Sequence, residues 1–164
     1  MPDMNNVEMG ACSVEADGVD LGHTAGRTLL RVDPVWRAVR DERFGETPVD
    51  SVLLGMRVGV TVRLLEKSYA NLQRAMPHAF SATGWLGIGR APGFRAGDAA
   101  VELRLHPLEK DDDADDVVIH RAVATGTIEI PYEEGEERAF EVVFTGYVDL
   151  EKPDGENIAR LFQS

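Results

Sequence analysis

From Met56 to Leu64 the chain alternates without a break. Met56, Val58, Val60, Val62 and Leu64 fall on one side, and Arg57, Gly59, Thr61 and Arg63 on the other. A helix, at 3.6 residues per turn, would scatter those apolar residues around its circumference, whereas a strand places all of them on one face. The run Met56–Leu65 therefore reads as a strand with one side in a core. Ala100–Leu105 repeats the pattern, with Val101, Leu103 and Leu105 opposite Glu102 and Arg104. In Ala139–Leu150, Phe140, Val142, Phe144, Val148 and Leu150 oppose Glu141, Thr145, Tyr147 and Asp149.

Shorter runs predict further strands at Cys12–Ala16, Arg27–Val32, Val35–Arg43, Val117–Ala124 and Thr127–Tyr132. Asp17-Gly18 is a hairpin-turn signal. Only Glu66–Met76 reads as helical: Tyr69, Leu72 and Met76 follow Leu65 at spacings of four, three and four, and Pro77 ends the run. One short helix among many strands predicts a mainly β fold, a sandwich or barrel with one flanking α-helix. At 164 residues the chain has room for a single domain, expected over 11–164 behind a flexible segment 1–10.

Charge narrows the functional classes. Seventeen basic against 29 acidic residues give −12. Such a field disfavours nucleic-acid binding by bulk charge. The one cysteine, Cys12, has no second cysteine for an internal disulfide or a thiolate metal site. The start has neither a basic region nor an apolar core like that of a signal peptide, and no apolar run approaches a membrane span. A soluble protein made in a cytoplasm is expected, with no membrane partner.

No catalytic, cofactor-binding or metal-binding residues are expected, and the chain does not read as an enzyme. His23, His78, His106 and His120 lack paired ligand spacing, and His120 reads as a satisfied residue of a strand wall. The aspartates Asp111–Asp113, Asp115 and Asp116 lack the ligand spacing and turn glycine of a calcium loop. They, and the glutamates of 133–137, read as solvated hairpin tips. Gly87-Ile88-Gly89-Arg90-Ala91-Pro92-Gly93 follows no strand and opens no helix, so it is not a dinucleotide fingerprint. No serine is set near a histidine in the manner of a nucleophile elbow.

Ser81–Gly97 combines five glycines with Trp85, Leu86, Ile88 and Phe94. Four large apolar side chains in a long glycine-rich loop would burden an isolated monomer, so these four are expected to lie in a subunit interface.

Two stretches resemble a known family. Arg40-Asp41-Glu42-Arg43-Phe44-Gly45-Glu46-Thr47-Pro48-Val49-Asp50-Ser51-Val52-Leu53-Leu54-Gly55 resembles the aspartate, aromatic-glycine, threonine-proline-valine-aspartate and glycine pattern of tail tube proteins from long-tailed viruses of prokaryotes. It runs into Met56–Leu65, Glu66 and Tyr69-Ala70-Asn71-Leu72, similar to that family's next strand and helix. Asp17–Gly26 resembles its opening hairpin, and Phe140–Phe144 through Asp149 to Pro153-Asp154-Gly155-Glu156-Asn157 its closing strand and tail.

The resemblance implies a β-sandwich with a flanking helix that closes into rings, six-fold in this family, which stack into the tube through which viral DNA leaves. It implies a place in the virion tail, assembly in the host cytoplasm, and as partners other copies of the chain, the tail terminator, the tape-measure protein and the baseplate or hub. DNA would pass without specific binding along a net negative bore, since a bore of unpaired arginines would hold it. Candidate bore residues are Arg57 and Arg63 on one polar strand face and Glu141 and Asp149 on another. Another tail ring component, a contractile-injection tube and a monomeric ligand-binding β-barrel are the alternatives.

Overall fold

The structure, a computed structural model, describes residues 11–110, 112–132 and 139–161. The segment 1–10 and the tip 133–137 lie outside them. The chain is mainly β, with one α-helix and one large antiparallel sheet. In chain order the elements are β1 Cys12–Ala16, β2 Val19–Asp20, β3 Leu29–Arg40, β4 Pro48–Leu64, α1 Tyr69–Ala75, β5 Phe80–Ala82, β6 Trp85–Gly87, β7 Val101–Pro107, β8 Val117–Ala124, β9 Phe140–Gly146 and β10 Ala159–Leu161. Along the large sheet the order is β2-β1-β7-β8-β9-β4-β3, with β10 also paired to β8; β5 and β6 form a separate hairpin.

The alternating runs place the core. Val14 of β1, Val60, Val62 and Leu64 of β4, Leu103 of β7, Ile119 of β8 and Phe140, Val142 and Phe144 of β9 are all buried and packed together. Each such side chain withdrawn from water contributes about 1.5–3 kcal/mol. The sheet curls so that its two ends meet through the stretch 21–25. Leu21 N–H donates to the Val14 carbonyl, Ala25 N–H to that of Arg63, and Leu65 N–H to that of His23, at 2.8, 2.8 and 2.9 Å. Gly22 permits this crossing. Its φ is +83°, and a Cβ there would overlap the Glu66 carboxylate, which accepts from His23 N–H at 3.0 Å.

The helix is shorter than Glu66–Met76 because it is capped later. Ser68 Oγ accepts from Asn71 N–H at 3.1 Å, so the first helical residue is Tyr69. Asn71 is buried, and its Nδ2 donates to the carbonyls of Leu21 and Glu66 at 2.8 and 3.0 Å. This side chain ties the helix to the crossing stretch.

Five strand expectations are corrected. Arg27–Val32 and Val35–Arg43 are one strand, β3, which passes through Asp33-Pro34. Proline is tolerated there because, among the described residues, β3 pairs with β4 alone and is the edge of the sheet. β4 begins at Pro48 rather than Met56, which lengthens it by eight residues. Thr127–Tyr132 forms no strand; Ile128 and Ile130 pack on the core from an irregular segment. The strand expected over Ala139–Leu150 ends at Gly146, and Leu150 is 89% exposed. After Gly146 the chain turns back through the hydrogen bond from Asp149 N–H to the Asn157 carbonyl, 2.7 Å, so Val148 and Leu150 leave the core face.

Candidate assembly surfaces

The length of β3 and β4 creates the most distinctive surface. β4 pairs with β9 only from Val58, opposite Gly146, to Leu64, whereas β3 stays with β4 as far as Arg40 opposite Pro48. Residues 34–40 and 48–56 thus leave the barrel as a two-stranded arm, about 23 Å long at 3.3 Å per residue. A turn, Glu42–Phe44, closes its tip, where Asp41 accepts from Arg43 N–H at 2.9 Å and pairs with its guanidinium at 2.8 Å. The Arg43 hydrogen bonds hold the Asp41 carboxyl below its ordinary range.

The arm is apolar where it should be polar if it stood alone. Val52, Leu53 and Leu54 are consecutive and 50, 44 and 62% exposed. Since successive residues of a strand point to opposite faces, both faces of the arm lie open. Trp36, Val39, Val49 and Met56 are exposed on the same arm. Its hydrogen-bonding edges are open as well, because among the described residues β3 has no second partner and β4 none before Val58. A lone two-stranded hairpin is at best marginally stable in water, and open apolar edges invite pairing with another chain.

A second exposed apolar group surrounds the β5–β6 hairpin, which gives the expected loop Ser81–Gly97 a structure of its own. Trp85 and Ile88 are exposed, Leu86 and Phe94 half-buried. Phe80, outside the expected set, joins them with its ring centroid 5.7 Å from that of Trp85. Tyr69 Oη donates to the Ala82 carbonyl at 2.6 Å and fixes this hairpin to α1. The Arg90 guanidinium lies 4.9 Å from the Phe94 ring centroid.

Of the four candidate bore residues, Arg57, Arg63 and Glu141 lie on the same outward face of the β4–β9 pair by strand alternation, and Asp149 lies beyond the end of β9. Arg63 and Glu141 are directly opposite one another in the β4–β9 ladder, both exposed. Arg57 lies at the root of the arm, opposite Asp33. Asp149 belongs to the turn after β9, where its carboxylate accepts from Glu151 N–H at 3.1 Å.

Two histidines differ from expectation. His120 is not satisfied: Nδ1 and Nε2 are both buried without a hydrogen-bond partner among the described residues, beside the irregular β7–β8 register between Val101 and Leu103. His106 is not isolated. Its Nδ1 lies 2.6 Å from Asp116 Oδ1, while Arg104 Nε binds Asp116 Oδ2 and Arg104 also pairs with Asp113. Ligand-type atoms of His106, Asp113 and Asp116 lie within 4.8 Å of one another. The Arg104 guanidinium supplies the positive charge among them, and the network pins the acidic loop after β7 to the barrel. The Asp116 hydrogen bond raises the His106 pKa above its ordinary value.

Among the described residues, the grooves between α1 and the barrel, beside β1 and beside β9 are lined by none of Trp85, Phe94, His78 and His106. A ligand-binding barrel, the alternative from a different class, would gather those four around one cavity.

No protein-family model matches the chain, and no curated protein is significantly similar to it. Among the described residues no helix is long and apolar enough to cross a membrane.

Proposed function

We propose that this chain is the major tail tube subunit of a virus of prokaryotes, a structural virion protein whose copies join into rings and whose rings stack into the conduit for DNA ejection. The supporting observation is the arm: a two-stranded extension with open edges and apolar residues on both faces is suited to bind another protein surface and poorly suited to water. The segment that carries the family resemblance, 40–55, is the arm's tip and outgoing strand. The barrel supports the reading in a second way. Its interior is filled by Phe140, Phe144, Leu64 and Leu103, so the fold is a packed block rather than a ligand container.

In this reading the partners are other copies of the chain, together with the terminator, tape-measure and baseplate proteins that the resemblance implies. DNA is a passenger rather than a ligand. The net charge of −12 suits a bore that repels phosphate.

Negative-stain microscopy of the purified full chain at high concentration tests the proposal. Rings or tubes with an axial channel are the expected result. Monomers or twofold dimers alone, at concentrations where apolar contacts should be saturated, would overturn it.

A further inference from the structure

The tip of the arm and the groove beside α1 are complementary. Phe44 is 58% exposed at the extreme end of the arm, held out by the turn Glu42–Phe44, with the Arg43 guanidinium 5.8 Å from its ring centroid. A rigidly presented aromatic ring is the usual anchor of a protein interface. The groove has a volume of about 300 Å³ and is lined by Gln73 and Arg74 of α1, by Pro77, and by Val101, Val123 and Phe144 of the sheet. That is ample for a phenyl ring, since a cavity of about 150 Å³ admits benzene.

Charge agrees with shape. Arg74, on the groove, and Glu42, beside Phe44 on the tip, each make no ion pair among the described residues. More broadly, the arm, residues 34–56, carries three basic and four acidic residues, whereas the rest of the chain carries fourteen and 25. With a net charge of −1 against −11 for the rest of the chain, the arm meets little repulsion from another copy.

The groove cannot be filled by the arm of its own chain. Phe144 is level with Val60 in the β4–β9 ladder, and twelve residues of strand separate Val60 from Pro48 at the arm's end. At 3.3 Å per residue the tip lies about 40 Å from the groove.

We propose that the groove between α1 and β8 receives the Phe44 tip of a second copy, with Glu42 of the incoming tip beside Arg74. The proposal rests on the self-assembly reading above and specifies its contact. Tip and groove are different surfaces on one molecule, so the contact is heterologous and propagates from copy to copy in a ring or a stack.

A benzophenone amino acid in place of Gln73, in isotope-labelled chain mixed with unlabelled chain, identifies the occupant. Cross-links from the labelled groove to residues 41–46 of unlabelled copies are the expected result, in samples whose rings or tubes are seen by microscopy. Assemblies that cross-link the groove to another surface, or to residues 1–10 of the same chain, would overturn this contact and leave the assembly reading standing. Absence of any assembly from the unmodified chain would overturn both. As an independent readout, Glu42→Arg and Arg74→Glu should each raise the concentration needed for assembly tenfold or more, and the double swap should restore most of the loss. Singles without effect, or no rescue by the double, would also defeat the contact.

Discussion

Asp116 Oδ1 stands 2.6 Å from Nδ1 of His106, and the Asp116 side chain is 1% exposed. The second Asp116 oxygen is taken by Arg104, so one buried carboxylate holds two cationic groups of β7. Protonated His106 is favoured in the folded chain, which raises its pKa. A raised pKa means that the folded state binds the proton more tightly than the unfolded state. The stabilisation is therefore complete below the ordinary histidine value of about 6.5 and is lost as pH rises through the higher folded value. An NMR titration should give a His106 midpoint above that of an exposed histidine, and amide exchange in 112–116 should quicken as pH passes it. His106→Gln should abolish this dependence.

Apolar substitution on the arm should separate folding from assembly. Trp36 and Leu54 are exposed and outside the buried core, so Trp36→Ser and Leu54→Asp should change monomer stability by no more than about 0.5 kcal/mol. Assembly, followed by sedimentation, should fall sharply. A matched loss of melting temperature would show instead that the arm folds onto its own barrel.

The core should respond in the opposite manner. Phe144 is buried at the centre of β9, and Phe144→Ala should cost about 3–5 kcal/mol in denaturant unfolding. Ser68→Ala removes the hydroxyl that caps α1, and should cost about 1 kcal/mol.

The β5–β6 hairpin offers a comparison within one experiment. Amides of 80–97 should gain protection from hydrogen exchange on passing from monomer to assembly, as expected of an interface containing Trp85 and Ile88. Equal protection in both states would return this hairpin to an ordinary surface role.

The barrel was legible because its physics is local. Val58, Val60, Val62 and Leu64 alternate in sequence, and each is buried in the fold. The arm was not legible by the same route, because alternation reports a strand with one covered face and the arm has none. Val52, Leu53 and Leu54 carry no alternation that would assign a strand. Asp33-Pro34 looked like a break because the sequence does not say which strands are edges. The network of Arg104, His106 and Asp116 was hidden for another reason. It spans two separate runs, and the aspartate-rich loop gave no sign of which carboxylate would be buried. Trp85 and Phe94 stood out in the sequence because bulky apolar residues among glycines are anomalous in themselves, whereas Phe80, just before that loop, did not.

One mechanical consequence follows from β4 being a single unbroken strand. Its first half is the arm and its second half is a wall of the core, joined without a loop, with a register shift at Leu54 near the junction. A pull along the arm would load the pairs from Val58–Gly146 to Leu64–Phe140 in shear, with all the rungs sharing the force, rather than peeling them one at a time. Whatever grips the arm thus grips the core directly, and tension passes from one molecule to the next through covalent backbone and a ladder in its strongest direction.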